Sequence, residues 1–216
     1  MDTDKASKGW RELSAETLSG MAEWRKQHPK ATLREIEKAL DERMMKLRAK
    51  VLEEAAQLSE MQTWTESEDV PICPDCKKAL EFRVKGKREL QTQGGHSIQL
   101  ERDTASVQNA DRAFFPLDEE LELLPGKLTP HAHECLIRFG TIMPFAKAAK
   151  ELEFVLKVGV SEPTARRYVE AAGKAYEEYQ TVEVERLEKT CPPAAKNTQK
   201  MFLSVDGAMI PLVRGE

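Results

Sequence analysis

The chain has 216 residues, of which 32% are charged and 40% hydrophobic, with a formal net charge of −4. This length predicts one medium domain or a few small modules, and the acidic balance gives no global attraction to DNA or to an anionic membrane. Any nucleic-acid surface therefore has to be local. The sequence holds no apolar run of the roughly 20 residues that cross a bilayer, and its first residues lack the apolar core of a signal peptide. We expect a cytoplasmic protein.

Residues 1–62 are predicted to form a helical hairpin or a coiled-coil region. Thr32 precedes Glu35 by three residues, which is the spacing of a capping box at the start of a helix. Across residues 33–58 apolar side chains recur at steps of three or four, which places them on one stripe of one long helix. This helix could pack back on the preceding one, or pair with a second copy of the chain through residues 32–60.

The middle of the chain is predicted to be a linker followed by a small β module and a second link. Residues 62–71 are polar and aperiodic, which is typical of a linker. The next segment alternates apolar and polar residues, and Gly94 and Gly95 supply a turn between two predicted strands. Residues 113–130 form an acidic, turn-rich link, and we interpret its adjacent carboxylates, Asp118 among them, as a solvated surface.

Cys73 and Cys76 form a C-P-D-C knuckle of the kind that holds zinc. A structural zinc site needs four ligands, so these two cysteines make half a site. Val107 and Ala110 have the spacing of a second knuckle but are not ligands. Three interpretations stay open: two reduced cysteines at a turn, a partial zinc site, and a redox pair. The other candidate ligands, none of them paired at ribbon spacing, are His96, His131, His133, Cys135 and Cys191.

Residues 126–190 are predicted to be a helical module with a helix-turn-helix. The sequence at 158–160, Val-Gly-Val, suits a tight turn between two helices. Ser161 is a good N-cap for the second helix, and Pro163 is tolerated in a first helical turn.

The second helix of this pair is the candidate DNA-binding element. Its N-terminal half would present Thr164, Arg166 and Arg167, at the place where recognition residues reach a major groove. Residues 143–174 contain six Lys or Arg against four Glu, so the unit is mildly basic. The alternative is a helical hairpin that binds no ligand.

Residues 198–216 are predicted to be a strand, a turn and the start of a second strand. Asp206 follows the first apolar strand, where a ribonuclease-H-like nuclease places its first metal ligand. Two Mg²⁺ ions held by several carboxylates stabilise the attacking and leaving oxygens in such enzymes. One acid cannot hold both ions, and by spacing alone Asp206 could equally be a turn residue at the surface.

Several stretches of the chain, taken in order, resemble the ISKra-type insertion-sequence transposases, a bacterial DDE family. They are residues 28–56, 73–76 (CPDC), 114–123 (FFPLDEELEL), 143–154, 160–173 and 204–212 (SVDGAMIPL). The resemblance implies a mainly α fold with a small β module: an N-terminal helical hairpin, a zinc-ribbon-like module, a helix-turn-helix, and a ribonuclease-H-like catalytic domain that uses Mg²⁺. Asp206 matches the first catalytic acid of the family.

The chain departs from the family at two places. Val107 and Ala110 stand where members carry a second C-x-x-C, which makes the module at 70–125 a degenerate zinc ribbon with Cys73 and Cys76 as a weak half site. The chain ends at Glu216, before the second Asp and the Glu of the family triad.

We therefore expect the N-terminal, DNA-binding portion of a transposase. It would bind the terminal repeats of its element, hold no cofactor and be catalytically inactive alone. The predicted modules are 1–62, 70–125, 126–190 and 198–216. One alternative is a regulator that binds DNA, or that dimerises with itself or with full-length transposase through residues 32–60. The other is a helical remnant with no activity.

Overall fold

The computed structural model describes residues 3–62, 64–66, 70–73, 77–106 and 113–190. The helices of this part are α1 (Thr3–Gln27), α2 (Leu33–Ala56), α3 (Pro116–Glu120), α4 (Pro130–Ile142), α5 (Phe145–Leu156) and α6 (Glu162–Lys189). The strands are β1 (Glu81–Thr92), β2 (His96–Ser106) and β3 (Ala113–Phe114), which pair antiparallel in the order β1-β2-β3. The prediction of a mainly helical chain with a small β module is confirmed. No described helix is both long and apolar enough to span a membrane.

Two compact units divide the chain, Met1–Gly173 and Lys174–Glu216. The first contains the predicted modules at 1–62 and 70–125 and most of the module at 126–190. In the second, the described residues continue helix α6. The strands predicted at 198–216, with Asp206, lie outside the described residues.

Helices α1 and α2 run antiparallel at the N-terminus. Trp10 Nε1 donates to Glu54 Oε2 at 2.8 Å, so the start of α1 lies beside the end of α2. The predicted capping box is confirmed, because Thr32 Oγ1 accepts from Glu35 N while Glu35 Oε2 accepts from Thr32 N at 2.7 Å. The hydrogen bond from the Thr32 backbone, followed by that from its hydroxyl, lowers the pKa of Glu35. Helix α2 therefore begins where the sequence places it.

The apolar stripe predicted on α2 is covered only in part, since Ile36, Leu47 and Val51 are half-buried. The buried residues of α2 are Ala39 and Ala49, whereas Leu33 is 71% exposed and Met44 is 41% exposed. Helix axes approach to 8–10 Å according to the side chains between them, and alanines permit the closer approach. The periodicity predicted the helix correctly, but it did not show that Ala39 and Ala49 are its most buried residues.

The turn between β1 and β2 is held between two helices. Gly94 and Gly95 have φ values of 90° and 74°, in the region that favours glycine. Gly94 N donates to Leu156 O at 2.7 Å at the end of α5, and a Cβ on Gly94 would overlap the side chain of Met45 on α2. The predicted Gly-Gly turn is confirmed, and it also fixes the hairpin against α2 and α5.

Helix α2 covers the edge of β2 that the short strand β3 leaves open. Gln99 N donates to Glu53 Oε2 at 2.7 Å, and Gln57 Nε2 donates to Glu101 O at 3.3 Å. Side chains that satisfy edge backbone groups remove a template for pairing with another chain.

The prediction of a linker at 62–71 is wrong for Trp64. Trp64 lies in a 3₁₀ turn, is 3% exposed and packs in a hydrophobic cluster. The other buried members of this cluster are Cys73, Leu80, Ala105 and Phe114. The aromatic side chain of Trp64 is buried although its neighbour Thr65 is exposed.

The prediction of a solvated acidic link at 113–130 is also wrong in its first part. Residues Ala113–Phe114 form β3, and Pro116, Leu117 and Asp118 of α3 are buried. The carboxylate of Asp118 meets two arginines of the sheet, whose positive charges compensate its burial.

Candidate nucleic-acid interface

The pair formed by α5 and α6 is built on a compact apolar core. Helix α5 is followed by its C-cap, Lys157, whose left-handed φ of 58° turns the chain sharply. Val158 then inserts into the core, where it is 1% exposed. The core residues contributed by α5, the turn and α6 are Ala148, Ala149, Leu152, Leu156, Val158, Ala165 and Tyr168. The buried valine and the left-handed residue before it fix where α6 begins.

The N-terminus of α6 is capped as the sequence predicts. Ser161 Oγ accepts from Thr164 N at 3.4 Å, and the two hydroxyl oxygens of these residues are 2.9 Å apart. The Thr164 side chain, predicted to contact DNA, is half-buried and engaged in this cap.

Arg166 and Arg167 lie on the exposed side of α6, while Ala165 and Tyr168 lie in the core. Arg166 Nε donates to Glu170 Oε1 at 2.7 Å, and this hydrogen bond together with the carboxylate charge raises the pKa of Arg166. The Arg167 guanidinium lies 5.7 Å from the centroid of the Tyr168 ring. The two predicted contact residues therefore differ, because one has an acidic partner and the other an aromatic one.

Glu170 was not singled out from the sequence. Its spacing of four residues from Arg166 was the available signal, since residues at i and i+4 are neighbours on a helix surface.

Tyr168 anchors α6 to the preceding segment and to α4. Its hydroxyl oxygen accepts from Lys127 N at 3.0 Å, and its ring meets the edge of His133 at a centroid distance of 5.0 Å. Burial lowers the pKa of His133. Lys127 O in turn accepts from Gln91 N of β1 at 2.7 Å. A chain of contacts thus runs from the sheet to the helix that carries Arg166.

A cluster of three charged side chains lies beside this anchor. Asp118 Oδ2 accepts from Arg88 Nη1 at 2.7 Å and from Arg102 Nη1. Arg88 Nη2 donates to Gly126 O at 3.1 Å, and the Arg102 guanidinium lies 3.7 Å from the centroid of the Phe115 ring. Desolvation lowers the pKa of both arginines. Because Asp118 is buried and both half-buried arginines are bonded to it, we interpret the cluster as structural.

The knuckle is only partly within the described residues. Cys73 is 2% exposed, its N–H donates to Lys78 O at 2.8 Å, and its carbonyl accepts from Lys77 N at 3.0 Å. Cys76, Val107 and Ala110 lie outside the part of the chain that the structure describes.

No three His, Cys, Asp or Glu side chains within the described ranges come together as a metal site. Cys135 Sγ lies 3.9 Å from His131 Nε2, but His133 is buried against Tyr168. The described residues thus do not assemble the four ligands that a structural zinc ion needs.

No protein-family model, curated protein or solved structure matches this chain.

Proposed function

We propose that this chain is the DNA-binding portion of an ISKra-type transposase, with α5, the turn at 157–161 and α6 as its helix-turn-helix. The observation that carries the proposal is the exposure of Arg166 and Arg167 beside the capped start of α6, with the opposite face buried. Side chains near the N-terminus of a recognition helix are those that reach base edges and phosphates in the major groove.

The proposed activity of the described residues is DNA binding. The family resemblance assigns Asp206 the role of first catalytic acid, one of several carboxylates that hold the two Mg²⁺ ions of the reaction. The terminal repeats of the parent element are the proposed target. We propose neither a resident cofactor nor a zinc ion for this chain.

The test is a gel-shift titration of the whole chain against the terminal repeats and a scrambled duplex at several salt concentrations. If Arg166 or Arg167 contacts a base, its replacement by alanine should weaken binding about tenfold or more. If it contacts a phosphate, the replacement should reduce by about one the slope of the logarithm of the binding constant against the logarithm of the salt concentration. R186A is the matched control, because Arg186 is an exposed arginine farther along α6 and is paired with Glu183. Equal binding by all four proteins would contradict the proposal.

A second candidate is a regulator that self-associates through the exposed stripe of α2. Leu33, Leu40 and Met44 are 71%, 39% and 41% exposed, and they continue a repeat of three- and four-residue steps that suits pairing with the same helix of a second copy. Sedimentation should then show a dimer at micromolar concentration that L33K/L40K converts to a monomer. A wild-type monomer rules this candidate out.

The remaining alternative is a helical remnant without activity. It predicts no saturable, salt-dependent binding to any duplex, whereas phosphate contacts weaken as salt rises.

A further inference from the structure

We propose that Glu170 is a positioning residue that holds the Arg166 guanidinium for bidentate recognition of one guanine in the major groove. This inference rests on the proposed DNA-binding function. It adds that the base recognised is guanine and that Glu170 orients the arginine that contacts it.

The hydrogen bond between Arg166 and Glu170 uses only one side of the guanidinium. Nε donates to Glu170 Oε1 at 2.7 Å, and the two Nη groups make no hydrogen bond to any described residue. A guanidinium carries five N–H donors in one rigid plane. With Nε occupied, the end formed by Nη1 and Nη2 still presents two parallel N–H groups, which match the O6 and N7 acceptors of guanine.

Two other arginine–glutamate pairs of the chain are arranged differently. Arg186 donates to Glu183 from Nε at 2.9 Å and from Nη2 at 2.5 Å. Arg138 approaches Glu134 with Nε and with Nη2, both at 2.9 Å. Arg186 uses Nε and Nη2 on the two different oxygens of Glu183, which is the fork arrangement, whereas both Arg138 nitrogens approach the same oxygen, Glu134 Oε1. In Arg166 the end of the guanidinium formed by Nη1 and Nη2 makes no hydrogen bond to any described residue.

The surroundings of the pair leave room for a duplex. The side chains of Arg166 and Glu170 are 64% and 54% exposed, and they lie on the side of α6 away from the buried Ala165 and Tyr168. A Cβ added to Gly173, three residues after Glu170 on the same helix, would meet no atom within 4 Å. The hydroxyl of Tyr168 ties this turn of α6 to Lys127, which keeps the pair in a fixed orientation.

Pairing also removes an electrostatic obstacle. An unpaired carboxylate on this face would repel DNA phosphates, whereas a carboxylate bonded to a guanidinium contributes no net charge. An arginine side chain loses rotamer entropy when it is fixed on binding, and an arginine that is already held in place loses less.

The experiment selects a preferred duplex for the whole chain from a randomised pool, and then replaces each guanine of that duplex in turn by adenine or by 7-deazaguanine, which lacks the N7 acceptor. At one position the wild type should lose about tenfold or more in affinity, the scale of one bidentate contact. Both R166A and E170A should reduce that discrimination to about twofold at most, while binding to a scrambled duplex and helicity by circular dichroism stay at the level of the E178A control. E170Q should retain part of the discrimination, because its amide oxygen still accepts from Nε.

E178A is the matched control, since Glu178 is an exposed glutamate of the same helix, 3.9 Å from the Lys174 ammonium. It should leave the discrimination unchanged. If E170A keeps the guanine preference, or strengthens binding to every duplex equally, Glu170 does not position Arg166 and this inference is overturned while DNA binding stands. If the wild type shows no saturable, salt-dependent binding, both this inference and the proposed function are overturned.

Discussion

Asp118 Oδ2 accepts a hydrogen bond from Arg88 Nη1 at 2.7 Å, and this contact joins strand β1 to helix α3. Arg102 donates to the same oxygen from β2. Asp118 Oδ1 and Arg102 Nε have no hydrogen-bond partner among the described residues. Two interactions therefore hold the segment at 113–120 to the sheet: the pairing of the Asp118 carboxylate with the two arginines, and the burial of apolar residues such as Leu117.

Replacing Asp118 should destabilise the compact unit strongly. D118N keeps the size of the side chain but leaves two arginines uncompensated, at side-chain exposures of 11% and 16%. Breaking a buried pair in this way costs about 3–5 kcal/mol. Urea unfolding at neutral pH measures the loss, and E119Q is the control, because Glu119 is exposed and its substitution should change stability by about 0.5 kcal/mol at most. Equal shifts in the two variants would contradict a structural role for the charge.

The stability of the chain should fall on acidification because of His133. Burial lowers the pKa of His133 from its ordinary value of 6.5, so the unfolded chain binds a proton more readily than the folded chain. This contribution to stability is complete above about pH 6.5 and is lost as the pH falls below it.

The measurement is the urea midpoint between pH 7.5 and 5. H133F keeps an aromatic ring against Tyr168 and should make the urea midpoint less dependent on pH between 7.5 and 5. H131Q, at an exposed position of the same helix, should leave the pH dependence of the midpoint unchanged. An unchanged slope in H133F would mean that other groups cause the dependence.

Gly126 should tolerate no side chain. Its φ is 116°, which L residues rarely adopt, and a Cβ would lie 2.6 Å from Tyr168 Cζ. G126A should cost at least about 2 kcal/mol, because both backbone strain and displacement of Tyr168 contribute. G9A is the control within helix α1, where the added Cβ meets nothing within 4 Å and the greater helix propensity should stabilise by roughly 0.5–1 kcal/mol. A neutral G126A would show that Tyr168 is not closely packed there.

Trp64 should behave as a core residue. W64A removes a side chain that is 3% exposed and should cost about 3–5 kcal/mol. W64F should cost less, because Trp64 Nε1 has no hydrogen-bond partner among the described residues and the aromatic volume is largely kept. The comparison is made by denaturant unfolding. Equal, small effects of both variants would restore the interpretation of this segment as a linker.

Local signals predicted the elements that depend on neighbouring residues. The capping box at Thr32, the turn at Gly94 and Gly95, and the cap at Ser161 are each made by residues within three positions of one another. Such contacts can be read from spacing because the chain itself brings their partners together.

Contacts between distant residues could not be predicted in this way. Asp118 was interpreted as solvated because its partners are 30 and 16 residues away in sequence. At the candidate site, Arg166 and Arg167 were identified from their place on a predicted helix. The difference between them arises from the side-chain geometry at Glu170 and Tyr168, which residue order does not specify.

By itself the sequence determined the helical pattern, the hairpin turn, the caps and the family resemblance from which the DNA-binding proposal begins. Only the tertiary structure decided which residues of α2 are most buried, that Trp64 belongs to the core, and that Asp118 compensates two arginines. It also decided that Nη1 and Nη2 of Arg166 make no hydrogen bond to any described residue. The physical reason is that periodicity and capping act within a few residues, whereas burial and charge compensation depend on which surfaces meet after the chain has folded.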